Sequence, residues 1–251
     1  MIDSHTHLHI CKEADDELVA RAVAAGVTRM VTVGTDLASS ELAVAAAERF
    51  PQVYAAVGVH PNESVSFDDG VRERLQALAA HERVVAVGEI GFDYHSSGNP
   101  APGVQEHAFT AQIEIARQVG KPVMIHTREA DDDTLRVLDR LATGVPVILH
   151  CFSMGERVAE CLQHDDWWLS FAGNVTYPKN QLLRDAALQT PAERLLVETD
   201  APYLSPQGLR GTPNVPANVV KTAEAVALLR RVSYHDFNQG VEAAAAAVFR
   251  W

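Results

Sequence analysis

The sequence predicts a (β/α)8 barrel, and three observations lead there. Short apolar runs alternate with longer Ala-, Leu-, Glu- and Arg-rich runs throughout the 251 residues. Strands alternating with helices form right-handed βαβ units on a parallel sheet. Eight such units fit the usual barrel length of about 250 residues, and a 47% hydrophobic chain can bury that core. No GxGxxG or GxxxxGK[ST] run is present, which weakens the case for an open nucleotide-binding sheet.

The elements follow in order. Met1–Asp3 is a short first strand, and Asp15–Ala25 carries apolar residues at helical spacing. Arg29–Val33 is a β-branched run followed by the Ala-rich helical pattern Ser39–Arg49. Val53–Val57 precedes the helix Val71–Ala80, and Val84–Val87 precedes the helix Gln105–Val119. The loop Pro100-Ala101-Pro102-Gly103 separates that last pair. Pro122–Ile125 and Asp131–Ala142 form the next unit, then Val145–Leu149 and Glu156–His164. Trp167–Phe171 and Leu195–Val197 are the last two strands. Trp167 and Trp168 belong to the core and barrel wall. Such near-continuous apolar runs mark strands buried on both faces. Ser205–Pro216, rich in Pro and Gly, is the longest irregular stretch and follows the last strand, where loops cover a barrel's mouth. Ser233–Phe249 reads as a final amphipathic helix. With no repeat, linker or composition break, residues 1–251 form one domain.

Charge narrows the partners. The net charge of -12 argues against a broad basic duplex-binding surface and against a polybasic membrane contact. It leaves a nucleic-acid substrate open, because cations in a cleft reverse the local field. Cys11, Cys151 and Cys161 have no CxxC spacing and read as reduced thiols of a cytoplasmic protein. Neither a signal peptide nor a membrane span is expected.

Chemistry collects just after the apolar runs, at what would be the carboxyl ends of the strands. His5 and His7 are two residues apart at the first strand's end, so their side chains share a side and offer two nitrogens to one cation. Ordinary hydrogen bonding at a polar strand end is the plainer reading of that pair alone. His9, of the same parity, is placed in a loop. Glu89 follows Val84-Val85-Ala86-Val87-Gly88, where a carboxylate has no place unless paired or metal-bound. His126 ends Pro122-Val123-Met124-Ile125, His150 ends Val147-Ile148-Leu149, and Asp200 follows Leu196-Val197-Glu198-Thr199. One cation needs three or four such groups; six suggest two divalent ions sharing Glu89, with Mg²⁺, Mn²⁺ and Zn²⁺ all admissible. Two ions roughly 3.5–4 Å apart activate water and stabilise the entering and leaving oxygens of a phosphoester.

Around this set, His60 and Asn62 form a turn that can reach a phosphate oxygen, or a plain structural turn. Arg128 can grip phosphate as a fork, or pair with Glu129 or Asp131. Tyr94 can stack on a base, or line the core. Glu198 can orient a ligand, assist a proton transfer, or sit in a buried salt bridge.

The motifs together resemble the TatD family of metal-dependent deoxyribonucleases. They are Asp-Ser-His-Thr-His at 3–7, Val-Gly-Val-His-Pro at 57–61, Gly-Glu-Ile-Gly-Phe-Asp-Tyr at 88–94, His-Thr-Arg-Glu-Ala at 126–130, Leu-His-Cys-Phe-Ser at 149–153 and Glu-Thr-Asp-Ala-Pro-Tyr-Leu at 198–204. The match runs through essentially the whole chain in the family's order. It implies a metallohydrolase barrel that hydrolyses phosphodiesters of DNA, trimming single strands or ends from the 3′ side, with RNA as a further substrate. It implies His5, His7, Glu89 and Asp200 around one ion and Glu89, His126 and His150 around the other. Glu89, Asp200 and His60 would be catalytic, and His60, Asn62, Tyr94, Arg128 and Ser153 would meet the substrate. The family's Arg-Asn-Glu-Pro loop is here Thr212-Pro213-Asn214-Val215-Pro216, a change that bears on substrate preference. The carboxy-terminal helix lacks the family's Asn within Ala245–Phe249, which bears on packing.

Two other readings are carried forward. Related barrels with an HxH motif hydrolyse amides, lactones and phosphotriesters; many bridge their metals with a carbamylated lysine where this chain has Glu89, which favours phosphodiesters. A metal-stabilised binding protein without catalysis is the third, although six ligands exceed what scaffolding requires.

Overall fold

Eight strands lie in one parallel sheet in the order in which they occur along the chain. They are β1 (Ile2–Thr6), β2 (Arg29–Val33), β3 (Val53–Val57), β4 (Val84–Asp93), β5 (Val123–Arg128), β6 (Val147–Leu149), β7 (Trp167–Phe171) and β8 (Leu195–Val197). Helices α1 (Asp15–Ala24), α2 (Leu37–Arg49), α3 (Asp69–Ala79), α4 (Pro102–Val119), α5 (Asp131–Leu141), α6 (Val158–Cys161), α7 (Gln181–Gln189) and α8 (Val219–Arg230) follow them in turn, and α9 (Tyr234–Phe249) ends the chain. Thr6 bridges Ala201 in parallel, and the Asp200 amide donates to the His5 carbonyl at 2.9 Å, so β1 lies beside the chain leaving β8. This is the (β/α)8 barrel. The computed structural model describes residues 1–251.

The chain packs as two compact units, Met1–Thr32 with His150–Trp251, and Val33–Leu149. In the first, Phe152 and Phe171 meet edge-to-face at 5.8 Å, and α9 packs on β8 and β1. The Met1 ammonium, itself buried, donates to Glu242 at 2.9 Å, tying the first strand to that helix. In the second, α2 begins with a capping box: the Ser39 amide donates to Asp36 Oδ1 at 2.7 Å and the Asp36 amide donates to Ser39 Oγ at 2.9 Å. Buried Gln112 on α4 accepts from the Val59 amide at 2.7 Å and donates to the Val59 carbonyl at 3.1 Å, holding the end of β3.

Several elements differ from their expected bounds. β1 runs on to Thr6 and so contains His5; the buried side chains of Asp3, Ser4 and His5 all find partners there. β4 continues to Asp93 with every residue buried, so Glu89 lies within the strand instead of after it. β5 begins at Val123 and reaches Arg128. Helix α6 is one turn, preceded by a 3-10 turn at Gly155–Arg157, where Glu156–His164 was expected. His164 leaves that helix to stack on Trp167 with ring centroids 3.9 Å apart.

Candidate metal centre

In the first unit, β1 delivers His5 and leaves His7 just beyond it, and the chain after β8 brings Asp200 to them. His5 Nε2 and His7 Nε2 are 3.1 Å apart, and Asp200 Oδ1 is 3.7 Å and 3.5 Å from them. Donors held about 2.1 Å from one cation are roughly 3.0–3.4 Å from each other, from octahedral to tetrahedral angles. The two imidazoles already stand at that spacing, and Asp200 Oδ1 lies a few tenths of an ångström outside it, so a small shift of the carboxylate would complete one coordination shell. His150 stacks on His5 at 3.9 Å, and its Nδ1 lies 3.2 Å from Glu198 Oε1. The Cys151 amide also donates to that oxygen at 2.7 Å. Glu198 Oε2, fully buried, has no hydrogen-bond partner. Asp3, also fully buried, accepts from the Thr199 amide at 2.8 Å and the Thr199 hydroxyl at 2.6 Å. Burial pushes the Asp3 carboxyl well above the usual range, against the pull of the Thr199 bonds. Asp3, Glu198 and Asp200 thus gather beside three imidazoles, and none of them pairs with lysine or arginine. Buried carboxylates need cationic compensation, and a divalent ion on His5, His7 and Asp200 would provide it.

In the second unit, β4 holds Glu89 and Asp93 on either side of the β5 imidazole. His126 Nδ1 is 2.6 Å from Glu89 Oε1, and its Nε2 is 3.3 Å from Asp93 Oδ2. Two glycines permit the approach. A Cβ on Gly88 would stand 2.6 Å from Met124 Cβ, and one on Gly91 (φ +143°) would stand 2.0 Å from the His126 carbonyl oxygen. His60 Nδ1 accepts from the Asn62 amide at 3.1 Å, so the neutral ring carries its proton on Nε2, which faces Glu89 Oε1 at 3.6 Å. The His60 and His126 rings meet edge-to-face at 4.4 Å. Burial raises the Asp93 carboxyl, but hydrogen bonds from His126 and the His95 amide, with the nearby His126 and His60 rings, hold it at about 2. His60, Asp93 and His126 together offer a second convergent donor set.

The remaining residues named from sequence are spread around these sets. The Arg128 guanidinium is exposed and pairs with neither Glu129 nor Asp131; Glu129 pairs instead with His95 at 2.6 Å. The Tyr94 hydroxyl donates to Asp133 Oδ2 at 2.9 Å and its ring lies 5.7 Å from Phe92. Asn62 and Ser153 are exposed, and His9 sits in the 3-10 turn Leu8–Ile10. Asp93, the last and buried residue of β4, carries no sequence signal of its own beyond its place before Tyr94. Left-handed backbone at Glu129 (φ 56°), Cys151 (φ 42°) and Asp200 (φ 53°) follows β5, β6 and β8. Non-glycine residues in that region cost about 1–2 kcal/mol each and cluster at functional sites.

A family model described as TatD related DNase matches residues 2–250. The chain belongs to that family. The uncharacterized metal-dependent hydrolase TatD of Mycobacterium tuberculosis is 46% identical over 239 residues, covering 91% of this chain and 90% of that protein. The 3'-5' ssDNA/RNA exonuclease TatD of Cronobacter sakazakii is 40% identical over 200 residues, covering 79% and 76%. The crystal structure of YJJV, a TatD homolog from Escherichia coli, superposes with a TM-score of 0.92 at 28% identity, covering 100% of this chain and 98% of that one. This chain is a TatD-family metal-dependent hydrolase. No helix in it is long and apolar enough to cross a membrane.

Proposed function

We propose that residues 1–251 act as one cytoplasmic domain that hydrolyses phosphodiester bonds of DNA, removing nucleotides from the 3′ ends of single strands and acting also on RNA. The observation that carries this reading is the gathering of Asp3, Glu198 and Asp200 beside His5, His7 and His150 without a lysine or arginine among their partners. Such a set is suited to hard cations facing an anionic substrate. Relatives named 3'-5' ssDNA/RNA exonuclease supply the substrate class.

In this reading His5, His7, Glu89 and Asp200 would hold one divalent ion and Glu89, His126 and His150 a second, with Mg²⁺, Mn²⁺ and Zn²⁺ all admissible. Bound there, they supply Lewis acidity and acidify water at neutral pH. Glu89 would belong to both ligand sets. Asp200 takes the proton of the attacking water, and His60 donates from Nε2 to a phosphate oxygen. Arg128 grips the neighbouring phosphate with its fork of donors. Asn62 and Ser153 add hydrogen bonds along the strand, and the Tyr94 ring meets a base. Asp93 and Glu198 hold His126 and His150 in orientation, as carboxylates behind ligand imidazoles do.

The test is release of terminal nucleotides from a 3′-labelled single strand, with each of the three ions and with chelator. Glu89→Ala should lower turnover by more than about a hundredfold, beyond what loss of an outer-shell partner costs, and should lower bound metal. Full turnover by that variant in metal-defined buffer would sink the assignment. A panel of amides and lactones run beside it would reveal the other hydrolase reading.

A further inference from the structure

We propose that the loop Pro202–Thr212 is a binding surface for the substrate strand, with Tyr203 stacking on a nucleobase and Arg210 meeting a backbone phosphate. The inference rests on the nuclease reading above and names two residues that reading does not use. Tyr203 lies three residues after Asp200, with its ring centroid 6.4 Å from that of His7 in an edge-to-face arrangement. It is nonetheless 52% exposed. A large aromatic left open beside a ligand imidazole has area to offer a partner, and every base presents a π face, so stacking there tolerates any sequence. The Tyr203 amide donates to the Asp200 carbonyl at 2.8 Å, which ties the ring's position to the candidate ligand.

Arg210 completes the surface. Its guanidinium lies 4.5 Å over the Tyr177 ring, and the Tyr177 hydroxyl donates to the Ser205 carbonyl at 2.8 Å. The cation is thus held in place by stacking while its planar donors remain available for an oxygen anion. It is exposed and stands in no ion pair, in a chain with 33 acidic and 21 basic side chains. The loop is rigid enough to present both groups. Ser205 Oγ donates to the Thr212 carbonyl at 2.6 Å, and the Gln207 amide donates to Thr176 Oγ1 at 2.8 Å. The Asn214 amide donates to the Pro202 carbonyl at 3.0 Å, and Asn214 Nδ2 donates to the Thr199 carbonyl at 2.9 Å. An aromatic platform and a positioned cation on one tethered loop match how single strands are held without base-specific readout.

The experiment compares the wild-type protein with Tyr203→Ala, Tyr203→Phe and Arg210→Ala, all Mn²⁺-loaded. Cleavage kinetics are read on a labelled single strand and on the same strand with abasic 3′-terminal positions. Binding is read separately by anisotropy on a strand with phosphorothioate terminal linkages. Tyr203→Ala should raise KM and weaken binding about tenfold on the normal strand, with the loss in KM rather than kcat, and should add nothing on the abasic strand. Tyr203→Phe should restore wild-type values. Arg210→Ala should flatten the dependence of log Kd on log salt by about 0.7, one phosphate contact on a single strand. Equal KM and Kd for wild type and both alanine variants would overturn the inference while leaving the nuclease reading intact. The same holds for an equal loss on normal and abasic strands. A wild type that binds the strand without cutting it would overturn the nuclease reading alone, with Tyr203 still decided by the binding arm. A wild type that neither binds nor cuts would overturn both.

Discussion

Asp3 joins the strand that carries His5 to the segment that carries Asp200, and it does so with both carboxyl oxygens on one residue, Thr199. It makes no contact that a metal ligand must make, yet the spacing of His5, His7 and Asp200 depends on where these two segments sit. Asp3→Ala leaves a buried amide and hydroxyl without an acceptor. The expected cost is about 1–3 kcal/mol of stability and about 10–100-fold in metal affinity, the usual effect of losing an outer-shell partner. Asp3→Asn, which retains one acceptor oxygen, should lose less of both. Denaturant unfolding and calorimetric metal titration of the two variants check this; equal metal affinity in Asp3→Ala and wild type would show that the clip does not position the site. At this scale the sequence was readable where a polar residue ended an apolar run, as His5, Glu89, His126, His150 and Asp200 do. It was less readable for Asp3 and Asp93, and for Glu198 it left several roles open. Their burial depends on which backbone amides and imidazoles turn toward them, and Thr199, Cys151 and His126 are brought there by the fold alone.

Among the elements, β4 departs furthest from its expected form. An apolar run interrupted by Gly88 and Gly91 reads as a strand that stops at Val87, since glycine weakens a strand interior. Both glycines are instead needed by the strand, which presses against β5 where no Cβ fits. That contact brings Glu89 to within 2.6 Å of His126. Gly91→Ala combines an unfavourable left-handed-side φ with a backbone collision and should destabilise by roughly 2–4 kcal/mol. Its loss of hydrolytic activity should exceed what unfolding explains, because His126 moves with the β5 backbone. Gly103→Ala is the control: nothing lies within 4 Å of a Cβ there, near the start of α4, and stability should be unchanged or raised by up to about 1 kcal/mol. Urea unfolding and turnover at a temperature where both variants are folded separate the two effects. The other strands, α1 to α5 and α9 were legible from periodicity, with ends shifting by a few residues where caps such as Asp36 decide them, whereas α7 and α8 were not marked out.

Across the whole molecule, the order of eight strands follows from simple alternation, and β1 and the chain after β8 bring His5 and His7 to Asp200, candidate ligands from distant parts of the sequence. A centre built from residues so far apart exists only in the folded state, so cations that fill it must stabilise folding by mass action. Glu198, fully buried beside His150 and paired with no lysine or arginine, would gain from a cation nearby. At a free ion concentration a thousandfold above Kd the gain is about 4 kcal/mol, or on the order of 10 °C in Tm for a chain of this size. Thermal unfolding with Mg²⁺, Mn²⁺ or Zn²⁺ and with excess chelator should show that rise for the working cation. The rise should shrink in Glu89→Ala, which lacks the carboxylate proposed for both ion sites. A Tm indifferent to every cation and to chelator would mean that the imidazoles and carboxylates satisfy one another, and the binuclear reading would fall even if the barrel stands.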